Sequence, residues 1–161
     1  MPDLVICNTS PLFYLHRLRR MDLLQKLYGT VVAPEAVIGE LRAGREQGED
    51  APELATVDWV QIRSVQVPQL IALMTDFGPG EAEVLSLALE NPGSLVILDD
   101  RLARTVAKAR GLRVTGTGGV LLRAKRDGHL PAIAPLLSEL TRLGFRLTPS
   151  ASRTILTLAG E

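Results

Sequence analysis

Short apolar segments alternate with longer segments of helical period along the whole chain, and this alternation most constrains the fold. Two of the apolar segments are Leu4 to Asn8 and the near-continuous run Ser94 to Asp99. Apolar runs of this length are typical of parallel strands that are buried on both faces. Strands that alternate with helices form βαβ units. The pattern therefore predicts an α/β fold, a three-layer α/β/α sandwich with a central parallel sheet.

The same pattern predicts where the individual elements lie. Strands are expected at Leu4–Asn8, Thr30–Ala33, Val57–Val65, Ser94–Asp99, Leu112–Thr115 and Phe145–Leu147. Helices are expected from Ser10-Pro11 onward and at Met21–Tyr28, Pro34–Ala43, Pro68–Thr75, Glu81–Asn91, Arg101–Arg110, Val120–Arg126, Pro131–Leu143 and Ala151–Leu158. Prolines begin several of these helices and glycines end others, as their backbone preferences favour.

Length and composition predict one soluble domain over residues 1–161. The chain is 46% hydrophobic, which is enough for a core, and its net charge is zero. No apolar run approaches the ~20 residues that cross a bilayer, so no membrane association is expected. The single cysteine, Cys7, excludes an internal disulfide and is typical of a reducing compartment. We therefore expect a cytoplasmic protein.

Two glutamates fall in line with apolar residues on predicted helices. Glu81 shares a helix face with Val84, and Glu40 shares one with Val37. Taken alone, each of these acids is better explained by a structural role, which for Glu40 is a position at the edge of the stripe. Two such acids together favour a functional role. The structural alternative for Glu81 is that it sits in the first turn, where the helix dipole favours an anion.

Further polar residues end two of the predicted strands. Asn8 follows the first apolar run, and Asp99-Asp100 follow the run that begins at Ser94. In open parallel sheets, ligands bind beyond the carboxyl ends of the strands. Each residue could instead cap the following helix. We expect Asp99 to face the crevice and Asp100 to cap, with the reverse assignment left open.

Four motifs, in this order, resemble the PIN-domain superfamily, and in particular the prokaryotic branch near VapC-type toxins. They are ICNTSPL at 6–12, PEAVIGEL at 34–41, GPGEAE at 78–83 and LDDRLAR at 98–104. The resemblance covers almost the whole chain. It implies a three-layer α/β/α domain with ribonuclease activity that depends on Mg²⁺ or Mn²⁺. It also implies an RNA substrate, a homodimer and often a small antitoxin protein as partner.

The resemblance also implies roles for individual residues. Asn8 stands where the family has its first metal-binding aspartate, Glu40 matches the second acid and Glu81 the third. Asp99 or Asp100 matches the fourth. The implied catalytic residues are therefore Glu40, Glu81, Asp99 and Asp100, and the implied metal ligands are these four with Asn8. Ligands that offer only oxygen suit Mg²⁺ or Mn²⁺.

Asn8 is a departure from the family's pattern. An asparagine carbonyl coordinates a hard cation but brings no charge, so metal affinity should fall. The alternative function is a catalytically weak or inactive PIN-fold module that binds RNA or a protein partner.

Several other residues are predicted to support the site or contact substrate phosphate. By resemblance, Ser10 matches a supporting hydroxyl residue. Thr115 and Thr117 flank a glycine turn beside the predicted site, and Arg101 and Arg104 follow the acidic strand. The structural alternatives are a tight turn that requires glycine and a solvated helix face. The turn is not GxGxxG, so a dinucleotide site is disfavoured.

Other charged and aromatic residues carry weaker predictions. Glu83 and Glu90 lie on a different helix face from Glu81 and are predicted to be solvated. Tyr14, Tyr28 and Trp59 form no series in the sequence, so stacking on RNA bases is not predicted.

Overall fold

Five parallel strands form the central sheet of this protein. The structure, a computed structural model, describes residues 2–65 and 76–161. The strands of these residues are β1 (Val5–Cys7), β2 (Val31–Pro34), β3 (Val60–Arg63), β4 (Leu95–Ile97) and β5 (Arg113–Thr115). They lie in the order β3-β2-β1-β4-β5 and every neighbouring pair is parallel.

Within residues 2–65 and 76–161, eight α-helices connect and cover the strands. They are α1 (Thr9–Arg17), α2 (Asp22–Tyr28), α3 (Glu35–Glu46), α4 (Pro79–Glu90), α5 (Arg101–Ala109), α6 (Thr117–Arg126), α7 (Ala134–Arg142) and α8 (Pro149–Leu158). Leu54–Thr56 form a short 3₁₀ helix before β3. The predicted helix Pro68–Thr75 lies outside the described residues.

The sheet topology places a crevice beside the first strand. The chain runs from β1 outward to β2 and β3, and then returns to the other side of β1 for β4 and β5. Parallel sheets bind ligands where the strand order reverses in this way, beyond the carboxyl ends. The point of reversal lies between β1 and β4, where Cys7 pairs with Ile97. The fold predicted from the sequence, a parallel sheet in an α/β/α sandwich, is confirmed.

Helices bury the central strands, as the apolar runs require. All three residues of β1 and all four of β2 are buried. Helix α4 contacts β1, β2 and β4, while α2 contacts β2 and α6 contacts β5. Among the helices of the described ranges, none is both long and apolar enough to cross a membrane.

The predicted strand at Phe145–Leu147 is wrong. These residues are not paired with the sheet, whose edge on this side is β5. Gly144 has a φ of +93°, and the Phe145 amide donates to the Leu140 carbonyl, which closes the turn after α7. The apolar side chains of this segment pack on the core as part of a loop instead.

Two helix starts differ from the prediction by three residues. Helix α6 begins at Thr117, because the Val120 amide already donates to the Gly116 carbonyl at 2.9 Å. Helix α7 begins at Ala134 rather than Pro131. Its first amides, of Ile133 and Ala134, donate to the Glu161 carboxylate at 2.9 and 3.1 Å, a contact from the far end of the chain.

Candidate functional site

The polar residues predicted at the strand ends lie beside one another. Asn8 follows β1 directly, and its backbone amide donates to the Ile97 carbonyl of β4 at 3.0 Å. Asp99 is the second residue after β4, and Thr117 is the second residue after β5. Parallel pairing brings all three carboxyl ends to one edge of the sheet. This edge therefore carries an amide, a carboxylate and a hydroxyl from three adjacent strands.

Asn8 carries an unsatisfied carbonyl at the centre of this edge. Its side chain is 2% exposed, and its Oδ1 atom is buried and accepts no hydrogen bond from any described residue. A buried polar atom without a partner costs about 1–3 kcal/mol. Buried polar atoms normally have a partner, so an exception needs an explanation such as a bound ion or water. The carbonyl of Asn8 is available to a ligand.

Glu40 is held at this edge by two groups from other elements. Its Oε1 accepts from the Thr9 hydroxyl of α1, and its Oε2 accepts from the Gly80 amide at the start of α4 at 2.9 Å. A Cβ on Gly80 would overlap Oε1 of Glu40. Glycine at position 80 is therefore what lets the carboxylate approach the start of α4.

The Asp99 carboxylate accepts three hydrogen bonds, one more than that of Glu40. Its Oδ2 accepts from the hydroxyls of Ser10 at 3.0 Å and Thr117 at 2.7 Å, and its Oδ1 accepts from the Thr117 amide at 2.8 Å. A Cβ on Gly116 would lie 2.9 Å from Oδ1 of Asp99 and 2.6 Å from the Arg104 guanidinium. These contacts join the ends of β4 and β5 to the start of α1 through one carboxylate.

Glu81 differs from these two acids. It lies half-buried in the first turn of α4, and no hydrogen bond from the described residues engages its carboxylate. A Cβ on Gly78 would lie 2.8 Å from Oε2 of Glu81 and 3.9 Å from Oε2 of Glu40, so both carboxylates border this glycine. Glu81 is thus a carboxylate whose oxygens can take up a ligand without breaking an internal bond.

Asp100 caps the following helix. It is exposed, and its Oδ1 accepts from the Ala103 amide at 2.8 Å. Of the two arrangements left open by the sequence, the structure has Asp100 as the cap and Asp99 bonded inward.

The five predicted ligands do not form a compact carboxylate cluster. Within residues 2–65 and 76–161, no three aspartate, glutamate, histidine or cysteine side chains lie close enough together to hold a metal ion. The metal-binding roles of Asn8, Glu40, Glu81, Asp99 and Asp100 therefore remain predictions.

Three adjoining clefts run along this edge of the sheet and share lining residues. The acidic cleft, about 400 Å³, is bordered by Asn8, Glu40 and Glu81. The central cleft, about 540 Å³, is bordered by Asn8 and Glu81 again, with Asp99 and Asp100. The basic cleft, about 610 Å³, begins at Asp99 and continues along α5 and α8. Together they form one trough that passes from negative to positive charge.

The predicted phosphate-contacting residues lie at different places in the trough. Arg101 borders both the central and the basic clefts. Arg104 borders the basic cleft and donates from Nη1 to the Leu98 carbonyl at 2.9 Å. Thr115 lies in the basic cleft, and Thr117 is fully buried and engaged with Asp99. The Thr117 hydroxyl therefore supports an acid.

An aromatic row that the sequence did not predict, Phe13, Tyr14 and Phe145, lies along the trough. The Tyr14 ring lies 5.0 Å from that of Phe145, at 77°, and 5.1 Å from that of Phe13, at 89°. Tyr14 borders the acidic and central clefts, and Phe145 and Arg146 border the central and basic ones. No local signal could reveal this row, because more than a hundred residues separate Tyr14 from Phe145.

Glu83 was predicted to be solvated, and this is wrong. Its carboxylate accepts from the Ala36 amide in the first turn of α3 at 3.0 Å. The bond satisfies an amide that lacks an intrahelical partner. It also ties α4 to α3, the two helices that carry Glu81 and Glu40.

Cys7 lies directly beneath the site. Complete burial, and then the negative charge of Asp99, raise the pKa of its thiol well above its ordinary value. A thiol that stays protonated is a poor nucleophile. Cys7 is therefore part of the core.

Comparison with known proteins places this geometry in a family. A family model described as "DUF3368: PIN domain" matches residues 4–161, which is nearly the whole chain. A search of curated proteins finds no significant match. PIN domains are generally nucleases, so the fold is of a nuclease type. The match extends through the strand ends and helices that carry Asn8, Glu40, Glu81 and Asp99, and the chain belongs to the PIN-domain family.

Proposed function

We propose that this protein is a metal-dependent endoribonuclease that hydrolyses RNA phosphodiester bonds at the acidic and central clefts. One observation carries the proposal. The buried, unpartnered carbonyl of Asn8 borders the same clefts as the Glu81 carboxylate, which no described residue engages. Oxygen ligands suit a hard cation, and Mg²⁺ is usually bound by one or two protein carboxylates together with waters and substrate phosphates.

The residues present fit Mg²⁺ or Mn²⁺ better than other common metals. All predicted ligands offer oxygen, and no histidine borders the acidic or central cleft. Asn8 and Glu81 would hold the ion, and Glu40, Asp99 and Asp100 are the further ligands that the motif resemblance implies. When bound, such an ion neutralises phosphate charge and lowers the pKa of water.

The surrounding residues fix the orientation of the acids. Thr9 and the Gly80 amide each occupy one oxygen of Glu40, while Ser10 and Thr117 occupy Asp99. Hydrogen bonds of this kind hold ligands in place, and their loss commonly costs 10–100-fold in metal affinity or activity. Arg101, at the boundary with the basic cleft, is placed to attract substrate phosphate.

A second candidate function is favoured by one feature of the same site. Asn8 supplies no charge, and no three acids of the described residues lie close enough to hold a metal without it. The alternative is therefore a catalytically weak or inactive PIN-fold module that binds RNA or a protein partner.

Cleavage of a pool of single-stranded RNA, with Mn²⁺ or Mg²⁺ and then with excess EDTA, separates the two candidates. We expect metal-dependent cutting that Glu81→Gln reduces at least about 100-fold. Glu90→Gln is the matched control, because Glu90 is an exposed acid on the same helix and lines no cleft of the trough. Wild-type activity should survive this control.

Asn8→Asp sharpens the test. The added charge should raise metal affinity and the cleavage rate, since the variant restores the family's acidic ligand. If Asn8→Asp remains inert with both metals on diverse RNA, the enzyme proposal is wrong and the binding module is favoured.

The toxin role and the homodimer are proposed from the motif resemblance. The toxin of a toxin–antitoxin pair should arrest growth when it is expressed alone in bacteria, and Glu81→Gln should relieve the arrest. Light scattering after size exclusion measures the oligomeric state. Normal growth during expression of an active enzyme would contradict the toxin role.

A further inference from the structure

The basic cleft concentrates positive charge in a protein whose net charge is zero. Arg101, Arg104, Lys108 and Arg146 border it, and of the described residues Asp99, at the boundary with the central cleft, is its one acid. Among the described residues, none of these four cations pairs with a carboxylate within 4.0 Å. Their charge is therefore available to an anionic ligand.

The residues of α8 that line the basic cleft are apolar. Ile155 and Leu158 of α8 line it together with Leu147, and Leu158 is 56% exposed. A Cβ on Gly118 would lie 2.8 Å from Cδ1 of Ile155, so this glycine lets α8 pack closely on α6. No residue of α8 is fully buried. The helix thus presents apolar surface to a cleft that cations also line.

The aromatic row connects this cleft to the predicted cutting site. Phe145 is half-buried and borders the central and basic clefts, and its ring contacts that of Tyr14 edge to face. A ligand that lies in the trough would therefore meet acids, an aromatic ring and then cations beside an apolar wall. A chain of phosphates beside flat apolar bases matches this order of surfaces along the trough.

We propose that the basic cleft binds the stretch of single-stranded RNA that adjoins the cutting site. Its phosphates lie against Lys108 and the neighbouring arginines of α5 and against Arg146, and one base packs on Phe145 and the apolar face of α8. The bases of a duplex are stacked and unavailable for such contact, so the preference is for single strands. The position of the cut rests on the proposed function, whereas the binding does not.

Fluorescence anisotropy with a labelled 12-nucleotide oligouridylate in EDTA tests the binding without cleavage. Each phosphate contact contributes a salt slope of about 0.7 for single strands, which corresponds to about five-fold in affinity near 0.1 M salt. The double variant Lys108→Ala, Arg146→Ala should therefore lose about 25-fold in affinity, with a salt slope shallower by about 1.4.

The matched control is the double variant Arg110→Ala, Arg153→Ala. It removes the same number of charges, one from the end of α5 and one from α8, and both residues are exposed and lie outside the cleft. It should keep affinity within about two-fold. Equal losses in the two double variants would overturn the proposal, because binding would then follow overall charge alone.

Phe145→Leu separates RNA from a generic polyanion. Loss of base stacking should lower affinity for the oligouridylate about ten-fold. Affinity for inorganic polyphosphate, measured by competition, should not change. An equal loss for both probes would count against a base subsite.

Two further outcomes would also overturn the proposal. One is equal affinity for a blunt RNA duplex. The other is no RNA binding together with a dimer that Lys108→Ala, Arg146→Ala disperses in light scattering, which would make the cleft a protein interface. Binding in EDTA without cutting in Mn²⁺ would contradict the proposed nuclease and leave this inference intact.

Discussion

The acidic and basic ends of the trough meet through the central cleft, which Asp99 borders, but they are built in different ways. At the acidic end, hydroxyls and backbone amides from other elements hold Glu40 and Asp99. At the basic end, Lys108 and Arg146 extend from a helix and a loop without a carboxylate partner among the described residues. The hydrogen bonds at the acidic end fix the positions of its carboxylates. The cations at the basic end provide a positive electrostatic field that does not depend on one fixed side-chain position.

Gly80→Ala should have the largest effect of these substitutions, by lowering the Mn²⁺ affinity of the acidic end. The new Cβ would displace the Glu40 carboxylate from the Gly80 amide. We expect Mn²⁺ affinity, measured by titration calorimetry, to fall about 10–100-fold, as for other changes that disturb the support of a ligand. Oligouridylate affinity at the basic end should change little.

Gly39→Ala is the control for that substitution. Gly39 lies in α3, and a Cβ there would meet nothing within 4 Å, so the change should leave Mn²⁺ affinity intact and stabilise the helix by up to about 1 kcal/mol. Wild-type Mn²⁺ affinity in Gly80→Ala would mean that Glu40 does not act on the metal.

Thr117→Val should have an intermediate effect. It removes the hydroxyl that donates to Asp99 and keeps the Thr117 amide in place. We expect a loss of about 1–2 kcal/mol in the free energy of unfolding and about ten-fold in Mn²⁺ affinity. Urea denaturation and calorimetry measure the two quantities.

Ser86→Ala is the matched control for Thr117→Val. Its buried hydroxyl donates to the Ala82 carbonyl within α4 and not to an acidic side chain. It should lower stability and leave Mn²⁺ affinity unchanged. Equal losses of affinity in the two variants would show that Thr117 acts only through stability.

Glu161→Gln should have the smallest effect and should act on the basic end alone. Amide donation from Ile133, and then the hydrogen bond from Lys125, lower the pKa of Glu161. A lowered pKa stabilises the folded state at pH values above the unfolded pKa of about 4.3, and this stabilisation is lost as the pH falls through the folded pKa. The melting temperature of the variant should be about 2 °C lower at pH 7, with a difference that vanishes in acid.

Glu139→Gln provides the comparison for this pH dependence. Its pKa is also lowered, by Arg142, but the pair lies on the surface of α7 and holds no other element. We expect Glu161→Gln, but not Glu139→Gln, to weaken oligouridylate binding, because Glu161 anchors the chain that follows α8. Equal oligouridylate affinity in the two variants would show that the position of α8 does not affect RNA binding.

Local signals in the sequence were enough to predict the sheet and the helices of the acidic end. Apolar runs indicate buried parallel strands, and Asp100 and the motif at 78–83 mark helix starts that the structure confirms. Phe145–Leu147 failed as a strand because apolar residues also suit a loop that packs on the core. The partners of Glu83 and Phe145 are distant in sequence, so no local pattern could indicate them.

The unpartnered carbonyl of Asn8 bears on how readily the protein could change its role over evolution. Asparagine and aspartate differ by one terminal group and have nearly the same shape, so Asn8→Asp would alter the charge of the site without repacking the core around it. A nuclease and a binding module, the two candidate functions, could then differ by a single codon change at position 8. Relatives that differ at this position alone are where a gain or loss of cutting should be sought.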